Sequence, residues 1–211
     1  MGRQTIIAWH GTPFDWSEQD VVIVASGPSA RATDFSLVHR CTRVIAVNNS
    51  WSLVPWADVL YGSDGKWWTI NEGVPEFIGR KFTSSPYVAQ RYGMDVVYTT
   101  GNNSGLRAIH LAHKLNARRI MLIGFDMHNR DGSHWHAPHA KDLHNPSKES
   151  MLIWRMETVK AAHTKLAAAK IINCTPGSEL KCFPQMPLEE ALNGNDAMDR
   201  RADQSRHTVA S

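Results

Sequence analysis

Val21-Val22-Ile23-Val24-Ala25-Ser26-Gly27-Pro28-Ser29 is the stretch that decides the fold class of this chain. Four apolar, β-branched residues lead directly into a Ser-Gly-Pro-Ser turn, and such a run predicts a strand buried on both faces of a parallel sheet. Open α/β sheets bind their ligands in turns at the carboxyl ends of such strands. Gly27 allows a ligand to approach the backbone and Ser29 can cap a following helix. The turn is therefore either a phosphate cradle or a simple tight connection.

Several other segments have the pattern of strands or helices. Strands are predicted over 43–47, 58–61, 95–98, 119–123 and 170–174. Apolar spacing predicts a helix over 103–115, a short helix over 188–192, and a longer one over 148–169 whose apolar face carries Leu152, Met156, Val159, Ala162 and Leu166. Strands that alternate with helices predict a single Rossmann-like α/β domain with a doubly wound, mainly parallel sheet.

Composition and length are those of one ordinary globular domain. The 211 residues are 42% hydrophobic and 20% charged, and a net charge of +3 does not by itself indicate nucleic-acid binding. We assign 1–20 to an N-terminal extension, 21–192 to a nucleotide-binding or nucleotide-sugar-binding domain, and 193–211 to a disordered polar tail. The cysteines form no C-x-x-C pair, and neither a signal peptide nor a membrane-spanning run is visible. We therefore expect a cytoplasmic protein without a membrane partner.

Polar residues follow the carboxyl ends of the predicted strands. Because these ends share one edge of a parallel sheet, we expect the side chains to meet in one cleft. Amide side chains both donate and accept, which suits a base or a sugar, and a helix start offers free N–H groups to an anion. The candidate binding residues are Ser26, Gly27, Pro28, Ser29, Asn48, Asn49, Asp64, Asn103, Ser104 and Gly105.

Tryptophans are unusually frequent, with eight in the chain. Trp51, Trp67 and Trp68 follow predicted strands, where they could stack on a base or a sugar ring. Their indoles could equally fill the core or an oligomer interface, so a homo-oligomer is left open.

Histidines cluster after the fifth predicted strand, in a stretch without regular periodicity. Imidazole suits acid/base chemistry near neutral pH, and we expect one histidine to act as a general base. The candidate catalytic residues are His139, His134 and Asp126. His128 and His136 are expected to be surface residues.

A metal site is the alternative for the same histidines. His134, His136 and His139 could converge with Asp126 or Asp131, although the spacing matches neither H-E-x-x-H nor a zinc finger.

Short motifs occur in a fixed order along the chain: Ser26-Gly27-Pro28-Ser29, Asn48-Asn49, Thr100 to Gly105, Ile120 to Met127, and Ser133-His134-Trp135-His136-Ala137-Pro138-His139. Together they resemble the motifs of the bacterial sialyltransferases of glycosyltransferase family 42. Those enzymes use a cytidine monophosphate sugar, need no metal, and have a histidine that deprotonates the acceptor. The resemblance implies a metal-independent glycosyltransferase with His139 as the general base. It also implies that Ser29, Asn48 and Asn103 to Gly105 hold the nucleotide.

The same motifs are similar to the domain of unknown function 115 and to small phage proteins. The domain includes archaeal enzymes that transfer diphosphate to a hydroxymethyl pterin, which implies an alternative diphosphotransferase with Mg²⁺ at Asp64. The phage likeness implies a non-catalytic nucleotide-binding protein, or a modified DNA base instead of a sugar as the acceptor. A DNA acceptor would need a basic surface, for which the candidates are Arg130, Lys141, Lys148 and Arg155.

Overall fold

The structure, a computed structural model, describes residues 14–39, 42–130, 132–139, 143 and 145–194. Most of the predicted extension and tail, together with Asp131 and Lys141, lies outside these residues. The strands are β1 (Asp20–Val24), β2 (Arg43–Val47), β3 (Val59–Gly62), β4 (Arg80–Thr83), β5 (Asp95–Val96), β6 (Arg119–Ile123) and β7 (Ile171–Asn173). The α-helices are α1 (Gly65–Ile70), α2 (Pro86–Tyr92), α3 (Ser104–Lys114), α4 (Lys148–Ala162) and α5 (Leu188–Asn193). Short 3₁₀ turns cover Pro28–Ala32, Phe35–Leu37 and Asn48–Ser52.

All these strands are parallel and form one sheet in the order β5-β4-β3-β2-β1-β6-β7. Val22 of β1 lies opposite Val44 on one side and Met121 on the other. The chain builds the sheet outward from β1 to β5 and then crosses back, so that β6 pairs with the free edge of β1. This reversal makes the carboxyl ends of β1 and β6 a topological switch point, where open α/β sheets have a crevice. The predicted Rossmann-like, doubly wound fold is confirmed.

Alternate residues of β1 face two separate apolar layers. Val21 and Ile23 face the layer that contains α3 and α4, whereas Val22 and Val24 face the layer that contains α1, α2 and α5. All of these side chains are fully buried. A strand covered on both faces has no position for a polar side chain, which explains the unbroken apolar run.

One strand was missed, because β4 begins with Arg80 and Lys81. The guanidinium of Arg80 pairs with Asp95 at 2.7 Å. The ammonium of Lys81 donates to the carbonyls of Gly73 and Val74. These partners allow the charged residues to occupy a strand that lacks an apolar pattern. The strand predicted over 95–98 is consequently the fifth in the chain and is shorter than expected.

The long helix α4 ends earlier than predicted and buries a different face. It stops at Ala162, and His163 is its C-cap. The predicted apolar face is right for Ala162, which packs against the core, and for Leu166, which is buried just beyond the helix. It is wrong for Leu152, Met156 and Val159, which are 48%, 63% and 38% exposed, while the helix itself buries Met151, Thr158 and Ala161. Apolar residues occupy two stripes of this helix, so periodicity alone could not show which stripe faces the sheet. Among the described helices, none combines the length and the apolar character needed to cross a membrane.

Candidate functional site

A cleft lies at the carboxyl ends of β1, β2 and β6, beside the N-terminus of α3. The sequence-predicted residues that line it are Ser26, Gly27, Asn48, Asn103, Ser104, Gly105, Asp126 and His134. The cleft is also lined by side chains that were not predicted as ligands: Phe125, Met127, His128, Met151 and Trp154. The other predicted residues, Pro28, Ser29, Asn49, Asp64 and His139, do not line the cleft itself. The strand ends thus meet where the topology predicted.

Two asparagine side chains in the cleft have polar atoms without partners. Asn48 Oδ1 and Asn103 Nδ2 are buried, and neither makes a hydrogen bond within the described part of the chain. The Oδ1 of Asn103 accepts from the backbone N–H of Leu106 at 2.8 Å, which makes Asn103 the N-cap of α3. This bond directs Nδ2 away from the helix. A buried polar atom without a partner costs about 1–3 kcal/mol, which a ligand could recover.

Two cleft residues also hold the left-handed backbone conformation that is uncommon outside glycine. Asn48 has φ of 48° and Met127 has φ of 56°. Conformations of this kind cost energy and cluster at binding sites, where the surrounding structure imposes them. They are two of the six described non-glycine residues with positive φ, and both lie at strand ends that line the cleft.

The turn after β1 is braced against the turn after β6. Gly27 N–H donates to the carbonyl of Gly124 at 2.9 Å. The buried carboxylate of Asp126 accepts from the N–H and the hydroxyl of Ser29. A Cβ at position 27 would lie 1.9 Å from Asp126 Oδ2, so only glycine fits there. Pro28 begins the 3₁₀ turn. Asp126 is thus committed to holding this turn in place.

The N-terminus of α3 lies at the cleft, which Asn103, Ser104 and Gly105 line. Ser104 Oγ lies 2.8 Å from Ser63 Oγ and accepts from the Ser63 N–H at 3.2 Å, which ties the helix start to the end of β3. A Cβ on Gly105 would lie 3.0 Å from the ring of Phe125, so helix and strand end are in close contact. The positive end of the helix dipole favours an anion here.

The imidazoles of His134, His136 and His139 form a cluster at the rim of the cleft. Their ring centroids are 4.8, 4.9 and 5.0 Å apart, and one ring nitrogen from each lies within 4.8 Å of the others. His134 lines the cleft and joins the cluster to it. The structure brings these histidines together as the metal alternative requires. Asp126 does not belong to the cluster, since its carboxylate binds Ser29.

Residues from other elements hold the histidine segment in place. The backbone N–H of Trp135 donates to Ser26 O at 3.0 Å, and its indole N–H donates to Ser50 Oγ at 3.2 Å. Asn49 Nδ2 lies 3.3 Å from His136 Nε2, while its Oδ1 accepts from the buried indole of Trp67 at 2.7 Å.

His128 and His136, which were expected to be surface residues, are both partly buried. His136 is half-buried in the cluster, and His128 lines the cleft with its Nδ1 buried. The contact of His136 with Asn49 joins residues 87 positions apart, which local patterns do not reveal.

Burial keeps these imidazoles neutral. It lowers the pKa of His134 to about 4, with further lowering by positive charge on His136 and His139. Burial also lowers the pKa of His136 and of His139, and for His139 the charge of Asp64 acts in the opposite direction. At neutral pH each ring therefore has a free lone pair that can accept a proton or bind a metal ion.

Asp64 and two of the tryptophans have local structural partners. Asp64 Oδ1 caps α1 by accepting from the N–H of Lys66 at 2.8 Å. Trp67 and Trp68 are buried and packed edge to face, and Trp68 Nε1 donates to Gly62 O. These two indoles belong to the core and do not stack on a ligand.

Two of the basic residues considered for DNA share one acidic partner. Arg130 and Arg155 both pair with Glu179, and the Arg130 contact is 2.6 Å. Their charge is therefore partly neutralised within the protein.

Comparison with known proteins identifies the fold. No protein-family model and no curated protein matches the sequence. The sialyltransferase CstII from Campylobacter jejuni, solved with a substrate analogue, cytidine-5′-monophosphate, matches 85% of this chain and 88% of its own, with a TM-score of 0.57 and 15% identity. A complex of the same enzyme with a trisaccharide acceptor and CMP matches 84% and 89%, with a TM-score of 0.53 and 15% identity. A single-residue variant of this α-2,3/8-sialyltransferase matches with a TM-score of 0.50 and 14% identity. The chain therefore has a sialyltransferase-like fold.

Proposed function

We propose that this protein transfers a sugar from a nucleotide-sugar donor to a hydroxyl acceptor. The observation that carries the proposal is the pair of buried, unpartnered amide atoms, Asn48 Oδ1 and Asn103 Nδ2, in a cleft at the switch point of the sheet. One acceptor and one donor suit a ribose or a base. The likeness in fold to sialyltransferases solved with CMP and with a trisaccharide acceptor supports the same class of ligand.

The proposed nucleotide site uses backbone amides for the phosphate. The first turn of α3, at Ser104 and Gly105, provides N–H groups and the positive end of a helix dipole. Ser26 and Gly27 of the braced turn line the same cleft, but the N–H groups of Gly27 and Ser29 already donate to Gly124 O and Asp126, so the amides for the phosphate come from α3. Preorganised amides of this kind stabilise the negative charge that builds up on a departing phosphate. The proposed step therefore needs no metal ion.

His139 is the proposed general base. The acceptor oxygen attacks the anomeric carbon and its proton passes to the imidazole. The bond between that carbon and the phosphate oxygen breaks, and the nucleotide leaves with the electron pair. Burial keeps His139 neutral, as a base must be, and the nearby charge of Asp64 would stabilise the protonated ring. His134 is a weaker base, because its pKa is lowered to about 4.

A sugar hydroxyl is the proposed acceptor. Of the basic residues considered for DNA binding, Arg130 and Arg155 are paired with Glu179, so they offer little free charge to a phosphate backbone. The aromatic and apolar side chains of Phe125, Met151 and Trp154 instead suit the face of a sugar ring.

Titration calorimetry with cytidine and uridine nucleotides tests the site. Asn103→Asp keeps the helix cap but replaces the Nδ2 donor by a charged oxygen, so stability should hold while nucleotide affinity falls by about tenfold or more. Ser85→Asp is the matched control, because it places the same charge at the N-cap of α2, outside the cleft. Equal affinity in the Asn103→Asp variant and the wild type would refute the proposed site.

Activity assays then separate the reaction classes. Release of nucleotide from a nucleotide-sugar without metal, and its loss in His139→Ala, would support glycosyl transfer. Turnover of ATP that requires Mg²⁺ and disappears in Asp64→Asn would favour the diphosphotransferase instead. Nucleotide binding without turnover of either donor class would favour the non-catalytic protein.

A further inference from the structure

The histidine cluster has a feature that a general base alone does not explain. One imidazole would be enough to accept a proton, yet one ring nitrogen from each of His134, His136 and His139 lies within 4.8 Å of the other two. Both ring nitrogens of His134 are shielded from solvent, and among the described residues neither makes a hydrogen bond of normal geometry, although the backbone carbonyl of Ser26 interacts with the ring. A buried imidazole nitrogen without a well-aligned partner is costly unless a ligand completes it.

The tautomer of His136 is set in the way found for metal-binding histidines. Its Nδ1 lies 2.6 Å from the carbonyl of Ala137, and since a carbonyl only accepts, Nδ1 carries the proton. The lone pair is then on Nε2, which Asn49 Nδ2 contacts at 3.3 Å. In metal-binding histidines, the ring nitrogen that does not bind the metal usually donates a hydrogen bond to a carboxylate, a backbone carbonyl or water, which orients the ring.

We infer that His134, His136 and His139 form a binding site for a divalent transition-metal ion of the Zn²⁺ class. Neutral imidazoles suit Zn²⁺, Co²⁺, Ni²⁺ and Cu²⁺, whereas Mg²⁺ and Ca²⁺ prefer oxygen ligands. Three nitrogen ligands leave the fourth tetrahedral position for water or another small ligand.

Occupancy requires the cluster to contract and its rings to rotate, because the His134 and His136 rings are stacked with an interplanar angle of 14°. Zn–N bonds of about 2.0–2.1 Å place tetrahedral nitrogens about 3.3 Å apart. The nitrogens, at most 4.8 Å apart, would therefore move together by about 1.5 Å, which side-chain rotation can supply. The ion would replace the long contact between Asn49 and His136.

The inference goes beyond the proposed sugar transfer and does not depend on it, since the ion binds to the protein alone. If His139 is also the base, the ion occupies the lone pair that the acceptor proton needs. Zn²⁺ would then inhibit transfer, and a chelator would restore it.

Direct binding of Co²⁺ to the full-length, untagged protein tests the site. We expect one equivalent of Co²⁺ to give the visible absorption of a four-coordinate ion, Zn²⁺ to displace it, and Zn²⁺ to raise Tm. His136→Ala and His139→Ala should each weaken Zn²⁺ binding by about tenfold or more. These half-buried positions are preferred to His134, whose removal could disturb folding.

His163→Ala is the matched control, since His163 is an exposed histidine at the end of α4, outside the cluster. It should bind Co²⁺ and Zn²⁺ like the wild type. Absence of a one-to-one Co²⁺ complex, or unchanged binding in both folded cluster variants, would overturn the inference. Neither result would affect the nucleotide titrations, so failure of the metal site and failure of the proposed function are distinguishable.

Discussion

The carboxylate of Asp126 accepts hydrogen bonds from the N–H of Ser29 at 3.2 Å and from its hydroxyl at 2.9 Å, across 97 residues of sequence. These residues follow β6 and β1, the neighbouring strands at the switch point of the sheet. The contact therefore sets the width of the cleft and the position of the turn that lines it.

Asp126→Asn should weaken both stability and nucleotide binding. An amide has a single oxygen acceptor and no charge, so either its NH₂ group faces the Ser29 N–H or the Ser29 hydroxyl must turn and accept, and in both cases the charge-assisted pair of bonds is lost. We expect the free energy of unfolding to fall by about 1–3 kcal/mol, measured by urea denaturation. The control is Asp34→Asn, where an exposed carboxylate accepts from the N–H of Ser36, and it should cost much less. An equal loss of unfolding free energy in the two variants would contradict the stabilising role of the contact between Asp126 and Ser29.

Gly27→Ala should damage the cleft through steric conflict alone. Gly27 has φ of −63° and ψ of 152°, a conformation that alanine adopts freely. The new Cβ would lie 1.9 Å from Asp126 Oδ2 and 2.4 Å from Gly124 O, so the two turns must separate. We expect a loss of about 2 kcal/mol or more in unfolding free energy and loss of nucleotide binding.

Gly177→Ala is the complementary control for that measurement. Its φ of 65° strains alanine, but nothing lies within 4 Å of the added Cβ. Backbone strain alone should cost about 1 kcal/mol and leave nucleotide binding intact. A larger loss here than for Gly27→Ala would show that contact with Asp126 is not the dominant effect.

Asn49 and Trp67 should be energetically coupled. Asn49 Oδ1 accepts from the indole N–H of Trp67, which is only 2% exposed. Asn49→Ala leaves that N–H buried without its acceptor, while Trp67→Phe removes the N–H itself. A double-mutant cycle should give a coupling energy of about 1 kcal/mol. The same cycle with Trp68→Phe should be closer to additive, because Trp68 donates to Gly62 O.

Stability should decrease on acidification, in part because of His110. This side chain is buried in α3, where burial, with contributions from the charges of Lys165, His113 and Lys114, lowers its pKa from 6.5 to about 4. Between pH 6.5 and about 4 the unfolded chain binds a proton at His110 that the folded protein does not. The stabilisation is therefore complete above pH 6.5 and is lost progressively as the pH falls, by at most about 3 kcal/mol.

Urea unfolding at several pH values checks the role of His110. His110→Gln should flatten the dependence of unfolding free energy on pH in that window. His163→Gln, at an exposed position, should leave the dependence as in the wild type. An unchanged slope in the folded His110→Gln variant would rule out this histidine as the cause.

Local patterns in the sequence correctly predicted the strands and helices whose apolar residues are buried in the core. The β-branched run from Val21 to Val24 predicts β1 because both of its faces are covered, and the apolar spacing over 103–115 predicts α3 because one face of that helix is buried. The same patterns did not predict elements whose side chains interact with residues far away in the sequence. Arg80 hides β4 because Asp95 pairs with it, and α4 has two apolar stripes of which the sheet covers one.

By itself, the sequence determined the parallel α/β class and the set of polar residues at the strand ends, because burial and capping are governed by near neighbours. Only the tertiary structure decided what those residues do. In the folded chain, Asp126 binds Ser29. Asn48 and Asn103 each keep one buried polar atom without a partner among the described residues. The imidazoles of His134, His136 and His139 lie close together. Such pairings depend on the winding of the sheet, which brings distant segments to one edge, and no local periodicity encodes the resulting distances.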